Sequence, residues 1–194
     1  MIPDWNAQGV IPPIAPGEPR NSGRRAPYLA SLRQVVDRYG TTPERRKILR
    51  GLIDYRRALA AAGLPDGFQW LNGSFMEDVE ASRARPPADI DVVSFVPLGN
   101  GANQQNLLTN HPDVFDPDRA KAKFHVDAYF RSLDDALSDR SVRAIAYWYS
   151  MWAHRRDDQL WKGFVEVAMS DIDDAEAGQR LNDLEAAAAA KVSP

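Results

Sequence analysis

The chain has 194 residues, 44% hydrophobic and 26% charged, with a formal net charge of −3 and no cysteine. That length suits one domain with a real core, and the missing cysteines exclude a disulfide framework and a thiolate metal site. Neither a signal peptide nor a membrane span is expected, so a cytoplasmic setting is the default. Residues 1–63 hold 11 Lys+Arg against 5 Asp+Glu, a balance of +6, which leaves −9 for the remainder. The arginines are spread along predicted helices and not clustered as a tail, so complementary faces of one domain account for this better than a segment that attracts phosphates.

Residues 1–26 are rich in Pro and Gly without periodicity and read as an extended arm, with Trp5, Ile11 and Ile14 able to pack against the domain 27–194. A first helix is predicted from Pro27 to Tyr39. The second helix is the clearest, with Thr42 as cap, Pro43 in its first turn and Gly63 at its end. Its apolar stripe is Ile48, Leu49, Leu52, Ile53, Leu59 and Ala60, and its arginines are expected to face outward. The Arg45-Arg46-Lys47 run reads mainly as a solvated helix face, with a phosphate-binding patch as the alternative.

A strand "GFQWL" leads into Asn72, Gly73 and Ser74, then a polar segment 75–88, then the strand "DIDVVSFV". A long loop is expected over 99–106, a short helix with turns over 107–120, and an alternating strand "KFHVDAYF". The rest reads as a helix over 133–153, a strand "WKGFVEVAM" and a final helix. Ser170 caps that helix and Asp171, Asp173 and Asp174 form its acidic first turn, which excludes them as a metal site.

Three features carry chemistry. A strand ending in Gly73-Ser74 before a helix start offers backbone N–H groups and a hydroxyl to an anion. Asp89 and Asp91, two apart in a strand, project to the same face while Ile90 and Val92 pack the other way. Such a pair repels, and either shares a proton or holds a hard cation such as Mg²⁺ or Mn²⁺. Asp127 again interrupts an apolar strand, and would complete a triad if its strand lies beside "DIDVV". His125, on the same predicted face, is read as a non-ligand. Lys162 reads equally as a strand-edge lysine and as one able to reach a triphosphate. Tyr147, Trp148, Tyr149, Trp152 and Trp161 read mainly as core packing, with stacking on a base as the alternative.

Gly-Ser, a 14-residue spacer, Asp-Ile-Asp and a later single Asp together resemble the nucleotidyltransferase superfamily of the DNA polymerase β type, over residues 41–130. The resemblance implies an α+β fold, a small mixed sheet flanked by helices, with the motif core in residues 64–130. It implies a nucleoside triphosphate as partner, Asp89, Asp91 and Asp127 as catalytic metal ligands for Mg²⁺ or Mn²⁺, and Gly73, Ser74 and Lys162 at the triphosphate. The implied activity moves a nucleoside monophosphate to a hydroxyl on a protein, an RNA or another nucleotide. The alternative is a non-catalytic nucleotide-binding or antitoxin-type module acting on a partner protein, since some small relatives serve in toxin–antitoxin or phage-defence systems.

Overall fold

The computed structural model describes residues 1–99, 104–134 and 137–191. It is an α+β protein with a five-stranded mixed sheet. The strands are β1 (Tyr28–Ala30), β2 (Phe68–Asn72), β3 (Ile90–Val96), β4 (Val126–Ser132) and β5 (Val165–Ala168), in the order β1-β5-β2-β3-β4. β2 is antiparallel to both its neighbours, whereas β1 pairs parallel with β5 and β3 with β4. The C-terminal end of β2 therefore meets the N-terminal ends of β3 and β4.

The helices are α1 (Leu32–Tyr39), α2 (Pro43–Ala61), α3 (Val79–Arg83), α4 (Gln104–Asn110), α5 (Pro112–Phe115), α6 (Pro117–Phe124), α7 (Asp139–Trp152) and α8 (Asp171–Ala190). Their starts follow local chemistry. Thr42 caps α2 ahead of Pro43, Asp116 caps α6 ahead of Pro117, and Ser170 caps α8 with the three aspartates in its first turn. One of these, Asp173, also accepts the Leu32 and Arg33 amides at the start of α1, tying α8 to it.

Alternation along the strands sorts the two faces of the sheet. Gln69 and Leu71 of β2, with Val92 and Ser94 of β3, share the face packed by α2. Trp70, Phe95, Phe164 and Trp152 pack edge to face on the opposite side, with Phe68 stacked on Phe95. The buried residues from Ile2 to Leu181 make one core.

Several expectations change. Pro27–Tyr39 is not one helix, because Tyr28–Ala30 forms edge strand β1 against β5 and only Leu32 onward is helical. The helix arginines do not all face water. Arg45 and Arg56 are each 1% exposed and hydrogen-bonded inside the protein. Arg45 binds Glu80 and the carbonyls of Phe75 and Glu77, while Arg56 binds Asp174, Gln69 and the Ala168 carbonyl. The expected loop 99–106 falls partly on 100–103, outside the described residues, and the chain is helical from Gln104. Residues 135–136 of the expected helix 133–153 also lie outside them, and α7 begins at Asp139.

The first 26 residues hold no helix or multi-residue strand, as expected of an arm, yet they are packed in. Ile2, Val10, Ile11 and Ala15 are buried. The Trp5 indole N–H donates to the Met76 carbonyl at 2.7 Å, the Gly163 amide to Ile11, and the Asp78 amide to Gly9.

Candidate functional site

Backbone register alone aligns the central residues. Asn72 at the end of β2 faces Asp91 on β3, and Asp91 faces Asp127 on β4, making one row across three strands. Asp89, two residues before Asp91, stands just ahead of β3. The row opens into a cleft of about 790 Å³, lined also by Gly73, Ser74, Lys121, Tyr129 and Lys162. That volume lies within the range of small-molecule sites.

Gly73 makes the close approach at the end of β2. Its φ is +82°, and a Cβ there would stand 2.8 Å from the Asp91 Cγ and 2.9 Å from its Oδ2. The positive φ is strained for any other residue, and a Cβ would push the Asp91 carboxyl out of its place in the row. Ser74 then opens a single 3-10 turn, Ser74–Met76, and the short α3 follows, in keeping with the one or two helical turns expected in this polar segment. Any anion at this corner therefore meets backbone N–H groups and the Ser74 hydroxyl with little helix dipole behind them.

The acids are not equivalent. Burial, followed by the charges of Asp127 and Asp89, pushes the Asp91 carboxyl up to about 6. Desolvation leads, a second carboxylate in register on the adjacent strand adds to it, and the Lys162 and Arg156 charges offset only part. The Tyr129 hydroxyl points to Asp127 Oδ2 at a long 3.4 Å, and burial and then that carboxylate raise the phenol. Asp89 has a different partner. Its Oδ2 lies 2.6 Å from the Lys121 ammonium on the last turn of α6.

The opposite wall is basic. The Lys162 ammonium lies 2.6 Å from Glu77 Oε1, with both side chains 5% exposed, and Arg83 holds the other Glu77 oxygen at 3.2 Å. Lys162 thus lines the cleft as a paired, buried cation just before β5, with Glu77 taking one of its three N–H donors. Arg85 and Arg156 are exposed at the rim. Asn72 donates to the Trp152 carbonyl at 2.9 Å and fastens the end of α7 to the row.

His125 is not on the strand. It caps α6 in the left-handed conformation, φ 57°, and passes the chain into β4 at Val126. Burial and then the nearby Lys47 charge lower its imidazole. Of the aromatic residues, Trp152 is buried and Trp148 packs between it and Tyr129, while Tyr147 and Trp161 are exposed.

The donor set suits a hard divalent ion in its chemistry, with carboxylate oxygens only and a repulsion that a cation would relieve. Its present placement is looser. Among the described residues no three His, Cys, Asp or Glu side chains are grouped to hold a metal, consistent with Asp89 being engaged by Lys121. Sequence reasoning missed Lys121, Glu77 and Asn72. Nothing local marks the first two, because their partners are distant in the chain. Asn72 was visible as a polar end to a buried strand.

No curated protein and no solved structure matches this chain. Through residues 3–168, which span all five strands, it belongs to DUF6932, a family of unknown function.

Proposed function

We propose that this DUF6932 chain is a metal-dependent nucleotidyltransferase with a polymerase β-like fold, moving a nucleoside monophosphate from a nucleoside triphosphate to a hydroxyl acceptor. The observation that carries the reading is the row of Asp91 and Asp127, in register on parallel strands, closing on a glycine whose backbone comes against the Asp91 carboxyl.

In this reading Asp89, Asp91 and Asp127 hold Mg²⁺ or Mn²⁺. Such an ion, when bound, lowers the pKa of a bound hydroxyl and neutralises charge on transferring phosphate. The backbone N–H groups at Gly73-Ser74 and the Ser74 hydroxyl receive phosphate oxygens. Arg85 and Arg156 at the rim draw the polyanion in. Lys162, held by Glu77, serves as a fixed positive charge at the back of the cleft. The acceptor oxygen bonds to the α-phosphorus, the bond from that phosphorus to the bridging oxygen breaks, and pyrophosphate leaves with the electron pair. The hydroxyl proton passes to the Asp127 carboxylate.

A second reading, a nucleotide-binding or antitoxin-type module without turnover, is favoured by one fact: Asp89 already has a cation in Lys121. Transfer of label from α-labelled triphosphates in Mn²⁺ or Mg²⁺ separates the two. Asp91→Ala combined with Asp127→Ala should reduce transfer by about 10²–10³-fold, the scale on which removal of charge-stabilising groups acts. Undiminished transfer by that double variant ends the enzymatic reading. Triphosphate binding by calorimetry with no product on protein, RNA or nucleotide acceptors favours the module.

A further inference from the structure

We propose that Lys121 is the internal counter-ion of the acid row: its ammonium holds Asp89 while no divalent cation is bound, and a divalent cation loads by displacing it. This rests on the metal-binding reading above.

The geometry is specific. Two lysines occupy the last turn of α6, and they part company. Lys123 pairs with Asp113 at 2.7 Å on the helix side, whereas Lys121 reaches Asp89 at 2.6 Å in the cleft. The backbone around Lys121 is pinned. The Lys121 carbonyl accepts from the His125 amide, and the His125 carbonyl accepts from the Ile90 amide, so this corner joins the starts of β3 and β4. The side chain itself is 51% exposed against 17% for Asp89. Its ammonium can therefore leave for water by rotation about its own bonds, with no movement of the strands.

Charge decides which cation wins. Asp91 and Asp127 also act on Lys121, so the ammonium is a tethered single charge facing three acids. A divalent ion brings twice that charge to the same carboxylates. A monovalent ion brings no more than the lysine already supplies, and lacks the tether that keeps the ammonium close. A lysine meeting a surface acid only transiently, its charge screened by water, predicts a change in cation affinity well below about fivefold when it is removed.

Calorimetric titration of the full chain with Mn²⁺ tests the proposal. Lys121→Met, which keeps the apolar stem, should bind Mn²⁺ about fivefold more tightly than the unmodified chain, the scale of one partly exposed ion pair. It should also show the larger Mn²⁺-induced rise in Tm. Lys121→Arg, which keeps the charge, should stay near the unmodified chain. Equal or weaker binding by Lys121→Met overturns the proposal, as does Lys121→Arg behaving like Lys121→Met. Mn²⁺ binding by neither the unmodified chain nor Lys121→Met would overturn the metal site itself and this inference with it. Binding of equal strength in the two strikes Lys121 alone.

Discussion

Asp91 shows what a single residue contributes and costs. Its carboxyl sits at about 6 against an ordinary 3.8, so the folded chain holds this proton more tightly than the unfolded chain does. Between about pH 4 and 6 the folded state carries the extra proton, and stability falls as pH rises. The cost is complete above about 6 and absent near 4, with a ceiling of about 3 kcal/mol. Asp91→Asn removes the charge and should stabilise the protein by up to that amount at pH 7.5, with the gain fading toward pH 4. Urea unfolding of both chains at several pH values checks this, and a gain independent of pH would show that charge is not the cause. At this scale the sequence was readable. Two acids spaced by two in an apolar strand, and a third in another, stand out because burial makes carboxylates costly. Lys121 was not readable, since a lysine at a helix end is ordinary until its distant partner is known.

Elements were read well where periodicity was long and poorly where pairing partners lay far away. α2 was evident from its cap and apolar stripe. Arg45 and Arg56 were misassigned, although 45, 49, 52, 56 and 59 follow one helical face, and that spacing was the available signal. β1 could not be seen, because three residues show no period and their strand character comes from pairing with β5. α2 also contains Gly51, whose added Cβ would lie 1.9 Å from the Phe124 carbonyl oxygen at the end of α6. In an open helix, Gly to Ala gains about 1 kcal/mol. Here the clash is with backbone, which cannot step aside, and overpacking costs about 1–3 kcal/mol or more. Gly51→Ala should therefore lower the urea midpoint, whereas a rise would mean α2 and α6 are not in close contact. The same displacement would move α6, and Lys121 with it.

Taken whole, the chain makes one core from both of its ends. The extended character of residues 1–26 was legible in their proline and glycine content, but their burial depends on surfaces built by residues far downstream. Ile2, Val10 and Ile11 are buried, and Trp5 rests within 4.4 Å of the Arg38 guanidinium while its indole holds Met76, two residues past Ser74. Removing residues 1–12 should cost about 4 kcal/mol or more, at roughly 1.5–3 kcal/mol for each large buried side chain. Against a total stability of about 5–15 kcal/mol that is a large fraction. Thermal unfolding followed by circular dichroism should then show a large drop in Tm or no cooperative transition. An unchanged melt would make the arm an appendage.

The strand order has a consequence for how the chain is made. β5, last in sequence, fills the gap between β1 and β2. A ribosome delivering the chain from its N-terminus leaves those two edges open until residue 168 has emerged, more than four-fifths of the way along. Unpaired edges are templates for other chains. Nascent or prematurely terminated copies are therefore the vulnerable form: β2, β3 and β4 are already made and can set out the acid row while the β2 edge beside it is still open.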